Sequence, residues 1–197
     1  MFILEDPKPI FNWEVVVNDV IDDTDISLIE KYVKNNPSKL QSANVKNDHN
    51  PNAVNKDVRV TNIMWLDDME AILPAYQKIQ NIIHQINNTR YKFNISMLEP
   101  LQYGEYNSNE GGHYDWHYDT FLRHPGNNVR KLSFSIGLND DYEGGELEFF
   151  SSDGDIKYKT EKGKLIMFPS FISHRVNPVT KGTRKSIVGW VHGPNFC

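Results

Sequence analysis

The densest group of polar residues that could do chemistry is the segment 111–119, which reads Gly-Gly-His-Tyr-Asp-Trp-His-Tyr-Asp. It contains two overlapping His-x-Asp patterns, His113/Asp115 and His117/Asp119. On a β-strand, residues i and i+2 point to the same face, so a His and an Asp at this spacing can reach one metal ion from one side. A lone triplet of this kind is usually a surface hydrogen-bonding pair, and the spacing alone does not choose between the two pairs.

A second histidine from a distant strand would complete such a metal site. The candidate is His174, which follows a segment that reads as a buried strand. Two histidines and one carboxylate form a facial triad that leaves coordination positions open, and this triad is typical of non-haem iron(II) oxygenases. Strand alternation also puts Arg184 and Ser186 on one face. The Arg184 guanidinium could bind a carboxylate through two parallel hydrogen bonds, with a third from Ser186.

Composition and charge are those of one globular domain. The chain has 197 residues, 39% of them hydrophobic, and a formal net charge of -5. A negative chain has no general attraction to phosphate backbones, so no nucleic-acid partner is expected. The one cysteine, Cys197, allows no intramolecular disulfide, and we see neither a signal peptide nor a membrane span. We therefore expect a reducing compartment, by default the cytoplasm, and no membrane partner.

The N-terminal half has the patterns of two helices. A first helix is predicted at about residues 25–35, where Ser27 and Glu30 have capping-box spacing. A longer helix is predicted at about 68–87, because isoleucines recur there at three- and four-residue steps. Pro74 is tolerable in that helix only in the first turn or at a kink.

Between the two helices lies a polar segment, residues 38–57, with too few apolar residues to be part of the core. It predicts a long surface loop or flap. Residues 58–66 read as a strand. After the second helix the period changes, and residues 91–97 alternate between apolar and polar side chains, which predicts a half-buried strand.

The C-terminal half contains several short strand candidates separated by glycine-containing turns, namely 131–138, 146–150, 156–159, 164–168, 174–177 and 186–191. Many short strands with regular turns are typical of a sandwich or jelly-roll barrel. We therefore predict a single α+β domain over residues 1–197. Helices at about 1–90 would support a catalytic jelly-roll core at about 91–197.

As a set, these motifs resemble those of the 2-oxoglutarate- and iron(II)-dependent dioxygenases of the prolyl 4-hydroxylase type, including bacterial and phage relatives. The resemblance is carried by the segments 111–120, 130–133, 138–139, 142–147, 168–169 and 174–184. It covers about residues 90–192 and extends to the N-terminal half only in general layout. It implies a double-stranded β-helix, that is, a jelly-roll core, with N-terminal supporting helices.

The resemblance also implies which triplet holds the metal. In this family an aromatic residue stands three positions before the histidine of the ligand triplet, and Tyr114 has that position relative to His117. Fe(II) is then expected on His117, Asp119 and His174. His113 and Asp115, the upstream pair, are expected at the surface or around the ligands.

A second implication concerns 2-oxoglutarate. Its far carboxylate is expected to pair with Arg184, where many relatives have Lys, aided by Ser186. Family members also use a Tyr on the strand before the triplet. Tyr106 is the preferred candidate and Tyr103 the alternative, because residues 107–110 make that alignment ambiguous.

The implied reaction is hydroxylation of a C–H bond, with ascorbate as the expected reductant. The main hypothesis for the substrate is a prolyl residue in a peptide, and the alternative is a free amino acid or another small molecule. The polar segment 38–57 would close over it as a lid. Two other classes rank lower, a nucleobase dioxygenase and a non-catalytic jelly-roll binding module. The first would need a basic groove, for which the only nearby candidates are Arg123, His124, Arg130 and Lys131.

Overall fold

The computed structural model describes residues 12–43, 55–120, 128–152 and 154–196. Within these ranges the chain forms two α-helices, α1 (Asp23–Asn35) and α2 (Leu73–Ile86), and a larger number of short strands. The strands are β1 (Val15–Val17), β2 (Gln41–Ser42), β3 (Arg59–Val60), β4 (Asn62–Leu66), β5 (Met97–Leu98), β6 (Leu101–Asn107), β7 (His113–His117), β8 (Asn128–Gly137), β9 (Glu143–Gly144), β10 (Leu147–Phe149), β11 (Ile156–Tyr158), β12 (Leu165–Pro169), β13 (His174–Val176), β14 (Val179–Lys181) and β15 (Thr183–Pro194).

The larger sheet has eight antiparallel strands in the order β1-β12-β8-β15-β6-β4-β2, with β5 paired to β15. One of its faces packs against both helices. Ile29 of α1 and Ile79 of α2 join Tyr103 and Ile187 of the sheet in one buried apolar cluster. The helices therefore cover the outer face of this sheet, as the amphipathic spacing of their isoleucines requires.

A smaller sheet of five antiparallel strands, in the order β11-β10-β13-β7-β3, faces the other side of the larger one. A second apolar cluster joins Tyr106 and Phe168 of the larger sheet to Phe149 and Val176 of the smaller. From β7 onward the chain alternates between the two sheets, with β8, β12 and β15 in the larger and β7, β10, β11 and β13 in the smaller. The short strands and turns predicted for this half of the chain are present, with shifted ends.

The predicted capping box of the first helix was wrong. The helix begins at Asp23 and is capped by Asp22, whose carboxylate accepts a hydrogen bond from the backbone N–H of Asp25 at 3.1 Å. The Asp25 carboxylate in turn accepts from the backbone N–H of Asp22 at 3.0 Å. Ser27 already lies inside the helix, where its hydroxyl donates to the carbonyl of Asp23. An Asp pair at capping-box spacing thus starts the helix earlier than predicted.

The predicted strand over 91–97 was also wrong, except at its end. The helix α2 starts after a 3₁₀ turn, with Pro74 in its first turn, and continues into a π turn that ends at Tyr91. The Tyr91 hydroxyl lies 2.8 Å from the carbonyl of Trp13 and 2.9 Å from that of Met167. These contacts hold Tyr91 at the helix end, so regular pairing begins only at Met97.

Residues 58–66 do not form one strand. They divide into β3 in the smaller sheet and β4 in the larger, with Thr61 between them. Of the predicted flap, residues 37–39 form a 3₁₀ turn and β2 pairs with β4 at the sheet edge. Residues 44–54, which make up most of that flap, lie outside the described residues, as do Arg123 and His124. No helix in the described part of the chain is long and apolar enough to cross a membrane.

Candidate functional site

Three metal-binding side chains converge at one end of the smaller sheet. His117 ends β7 and His174 begins β13, and the two residues are direct partners in the antiparallel pairing of these strands. The Nε2 atom of His117 lies 3.7 Å from one oxygen of Asp119, and the Nε2 atom of His174 lies 3.5 Å from the other. The donor atoms of all three lie within 4.8 Å of one another, the only such group found in the described ranges.

Both imidazole rings are oriented by backbone carbonyls. The Nδ1 atom of His117 lies 2.8 Å from the carbonyl oxygen of Asp115, and the Nδ1 atom of His174 lies 2.9 Å from that of Ile172. A neutral imidazole that donates through Nδ1 presents the lone pair of Nε2. Each ring therefore directs its free nitrogen at the third ligand, as metal-binding histidines do.

The Asp119 carboxylate is held from several directions. The backbone N–H of Asp119 donates to the carbonyl of Ser170 at 3.0 Å. Burial alone would raise the pKa of the Asp119 carboxyl, but the two neighbouring histidines and hydrogen bonds from Ser133 and Trp190 outweigh burial and lower that pKa. The carboxylate is thus ionised and fixed in place, which is the form that binds a cation.

His117 is kept in its neutral form. Burial and the nearby His174 lower the pKa of His117 to about 3, so the ring is uncharged at neutral pH. The Tyr114 ring stacks on it, with ring centroids 3.6 Å apart and planes tilted by 13°. The Arg59 guanidinium lies over the Tyr114 ring, 4.5 Å from its centroid. Tyr114 therefore packs against the ring of His117, a candidate ligand.

A buried cation lies at the other end of the same space. Arg184 is 1% exposed. Its Nη1 donates to Ser186 at 2.9 Å, and its Nε and Nη2 donate to the hydroxyl of Thr160 at 3.1 and 2.8 Å. Ser135 lies 3.4 Å from Nη2. No carboxylate of a described residue forms an ion pair with this guanidinium, so it is a buried positive charge suited to an anionic ligand.

Of the two candidate tyrosines, only Tyr106 borders this space. Its ring centroid lies 5.2 Å from the guanidinium carbon of Arg184. Tyr103 lies on the opposite face of β6, packs against the helices and donates its hydroxyl to Glu105 at 2.5 Å. Gly145 has a φ of +68°, and a Cβ at this position would lie 2.9 Å from Cδ of Arg184. The glycine pair at 144–145 thus allows the chain to pass close to the buried cation.

One cavity of about 860 Å³ contains both groups. Arg184, Ser135 and the three possible metal ligands all line this cavity. Lys39 and Trp65 line it as well, and their partial exposure places the opening on their side. The dimensions suit a small dicarboxylate at the inner end and part of a larger ligand at the mouth.

Some residues of this site were missed in the sequence. Ser133 and Ser135 are buried polar residues that alternate with Leu132, Phe134 and Ile136, and that pattern could have indicated an inward polar face. Trp190 and Arg59 gave no local signal, because their roles depend on pairing between distant strands. Thr160 lies in a loop that no motif marked.

Comparison with known proteins identifies the family. Residues 101–192 match the family described as the 2OG-Fe(II) oxygenase superfamily. The segment 101–192 thus belongs to the 2OG-Fe(II) oxygenase superfamily. Among its relatives, a PKHD-type hydroxylase of Idiomarina loihiensis is 38% identical over 111 residues, which are 51% of this chain and 50% of that one. Another, from a Picosynechococcus strain, is 36% identical over 125 residues, covering 60% and 55% of the two chains. The chain thus spans about half the length of the curated relatives it matches.

Solved structures show that the oxygenase has the fold of the prolyl hydroxylases. A Pseudomonas putida prolyl-4-hydroxylase superposes with a TM-score of 0.72 at 20% identity, covering 92% of each chain. A Trichoplax adhaerens prolyl hydroxylase, in complex with a hypoxia-inducible-factor peptide fragment, superposes with a TM-score of 0.74 at 19% identity, covering 91% of this chain and 83% of that one. The chain therefore has a prolyl hydroxylase-like, jelly-roll-type fold. Fe(II) and 2-oxoglutarate are the cofactors of its family.

Proposed function

We propose that this oxygenase uses Fe(II) and 2-oxoglutarate to hydroxylate a C–H bond, of a prolyl residue in a peptide. The observation that carries the proposal is one cavity lined both by a His-Asp-His cluster and by a buried arginine. An iron ligand set and a carboxylate-binding cation in one cavity are what a metal-bound 2-oxo dicarboxylate requires.

His117, Asp119 and His174 would hold the iron. Their donor set of two neutral imidazoles and one ionised carboxylate suits Fe(II), and the convergence of donor atoms within 4.8 Å fits a single ion. Bound iron and 2-oxoglutarate would together supply the activation of dioxygen for C–H hydroxylation. The protein would contribute by fixing the ligand rings through backbone carbonyls and by excluding water from a largely buried site.

Arg184 would bind the far carboxylate of 2-oxoglutarate, with Ser186 and Tyr106 beside it. Burial makes this contact strong, because water does not compete for the guanidinium. The hydroxyls that now accept hydrogen bonds from Arg184 are neutral, so a ligand carboxylate would supply the missing negative charge. The contact between Arg184 and the far carboxylate would also orient the 2-oxo acid end of 2-oxoglutarate toward the candidate metal ligands.

The peptide would lie at the mouth of the cavity, where Arg59 offers a binding group. Its Nη2 donates to the side chain of Gln102 at 3.2 Å, whereas its Nε is buried without a hydrogen-bond partner, the only side-chain atom of this kind in the described residues. An arginine with spare donors can bind a peptide carbonyl. The prolyl hydroxylase neighbour in complex with a peptide fragment supports the same class of substrate.

A free amino acid is the second candidate substrate, and the charge of Arg59 favours it. Besides Arg184, two other cations line the cavity, but Lys39 pairs with Asp67 at 2.8 Å and Arg130 pairs with Glu99 at 2.7 Å. Arg59 has no such partner among the described carboxylates and could bind the carboxylate of an amino acid. A nucleobase substrate is less favoured, because these pairs leave no continuous basic groove among the residues that the structure describes.

The proposal extends to the whole chain. We infer that the two facing sheets form a double-stranded β-helix, and that residues 1–197 fold as one domain in which the helices support that core. Ascorbate would serve as the reductant that keeps the iron in its ferrous state.

Mass spectrometry tests the substrate directly. The protein is incubated with Fe(II), 2-oxoglutarate, ascorbate and a panel of prolyl peptides, and with free proline and other amino acids as the competing set. We expect a mass gain of one oxygen on a prolyl peptide, with matching succinate formation. A gain confined to free amino acids would replace the peptide by the second candidate, and succinate formation without any hydroxylated product would contradict both.

A further inference from the structure

The buried guanidinium of Arg184 is held mainly by one residue outside the strand that carries it. Thr160, which is 1% exposed, accepts hydrogen bonds from both Nε and Nη2 of Arg184. Its hydroxyl oxygen therefore occupies the edge of the guanidinium formed by these two nitrogens. The edge formed by Nη1 and Nη2 is left for a two-point contact with a carboxylate, flanked by the hydroxyls of Ser186 and Ser135.

Thr160 is itself fixed by its surroundings. The hydroxyl of Tyr142, which is 3% exposed, donates to the backbone carbonyl of Thr160 at 3.0 Å and lies 3.4 Å from its hydroxyl. The loop can approach because Gly137 has no side chain, since a Cβ there would lie 2.2 Å from the carbonyl oxygen of Thr160. A threonine hydroxyl that accepts two hydrogen bonds from an arginine still has its own hydrogen to donate, here toward Tyr142.

We infer that Thr160 is a positioning residue for 2-oxoglutarate, acting through Arg184 and held in place by Tyr142. The inference rests on the proposed function, because it assumes that Arg184 binds the far carboxylate. Without the Thr160 hydroxyl, the Nε and Nη2 donors of Arg184 would lack their acceptor in a buried site and the guanidinium plane would turn to find another. The two-point contact with the carboxylate would then be lost, while contacts near the metal would remain.

A pair of 2-oxo acids separates this role from simple structural support. 2-Oxopentanoate has the same carbon chain as 2-oxoglutarate but ends in a methyl group, so it cannot use Arg184. Affinities of both acids are measured by calorimetry on the iron-loaded protein without oxygen, for the wild type, Thr160→Val and Thr160→Ser. Thr61→Val is the matched control, because the buried hydroxyl of Thr61 donates to the carbonyl of Glu105.

We expect the wild type to prefer 2-oxoglutarate clearly, and Thr160→Val to reduce that preference roughly tenfold, the effect of losing a well-oriented charge-assisted hydrogen bond. Thr160→Ser and Thr61→Val should keep the preference. If Thr160→Val does not fold, Tyr142→Phe takes its place with an expected loss of roughly twofold or more.

Three results would overturn the inference. Thr160→Val, or Tyr142→Phe in its place, could prefer 2-oxoglutarate as strongly as the wild type does, or could lose affinity equally for both acids. Thr160→Ser could also lose as much of the preference as Thr160→Val. In each of these cases the wild-type preference is intact and the proposed function stands. A wild type without any preference for 2-oxoglutarate would overturn the proposed function along with the inference.

Discussion

Arg184 is the residue whose environment is most unusual for its chemistry, because its charge is buried among hydroxyl groups. Arg184→Ala should weaken 2-oxoglutarate binding roughly tenfold to a hundredfold, since hydrogen bonds to a charged group contribute about 1.5–3 kcal/mol. Arg184→Lys keeps the charge but loses the fork geometry and should be intermediate. Iron affinity should change little, because the candidate ligands lie on other strands. Calorimetric titration measures both, and an Ala variant with wild-type affinity for 2-oxoglutarate would exclude this carboxylate site.

Arg59 allows a second prediction at the residue scale. Arg59→Gln should raise the KM for a hydroxylated substrate roughly tenfold, because the cavity loses the guanidinium charge that would bind a substrate acceptor. The 2-oxoglutarate requirement should stay the same. Lys39→Gln is the control, since Lys39 lines the same cavity but already pairs with Asp67. Equal KM values for wild type and Arg59→Gln would remove Arg59 from the substrate site.

The residues that the sequence could indicate are those with a local pattern. His117 and Asp119 stand two positions apart, with Asp119 just beyond the end of β7, and Arg184 and Ser186 stand two apart on β15, so spacing groups each pair. His174 is a candidate as a distant histidine after a buried-looking strand, but no local spacing could show that it pairs with His117 across two strands. Thr160 could not be found in this way, because a loop has no period.

At the scale of elements, α1 and α2 are joined by charges at the start of α1. The Lys78 ammonium of α2 lies 2.8 Å from the Asp22 carboxylate and 2.6 Å from that of Asp25. The hydrogen bond from Lys78, together with backbone hydrogen bonds, lowers the pKa of Asp22 to about 2. A carboxyl group whose pKa is lower in the folded state stabilises the fold above its unfolded pKa, near 3.8, and loses that effect as the pH falls toward 2.

Asp22→Asn tests this coupling, because asparagine still caps a helix but carries no charge. The wild type should have a higher melting temperature than Asp22→Asn at pH 5, and the difference should shrink as the pH falls from about 4 to 2. Asp23→Asn is the control, since Asp23 pairs with Lys162 and lies outside the cap. A difference that is constant across this pH range would show that the charge of Asp22 is not coupled to folding.

Element types could be predicted better than element ends. Short strands in the C-terminal half lie where alternation and glycine turns indicated, because each strand has its own run of buried residues and is bounded by turns. The exceptions depend on tertiary contacts. Tyr91 belongs to a helix end because its hydroxyl reaches carbonyls on two other segments, and the stretch 58–66 divides because its two halves pair with different sheets.

At the scale of the whole molecule, two facing sheets enclose one cavity that contains both the metal ligands and the buried cation. The layers could be predicted, because helical and strand periods separate the N-terminal and C-terminal halves. Which residues meet inside the cavity depends on the register between β6, β8 and β15, and no local pattern determines that register.

The most direct test of the account uses the two overlapping His-x-Asp triplets. Asp119→Ala and Asp115→Ala each remove one carboxylate from the same short segment. Among the described residues, the exposed Asp115 side chain accepts only from the backbone N–H of Trp116, and the Asp115 carbonyl would still orient His117 in the variant. Succinate formation from 2-oxoglutarate is measured with Fe(II), together with the bound iron. The account predicts that Asp115→Ala retains both iron and turnover and that Asp119→Ala loses both. Full turnover by Asp119→Ala, or its loss in Asp115→Ala alone, would contradict the assignment of this metal site.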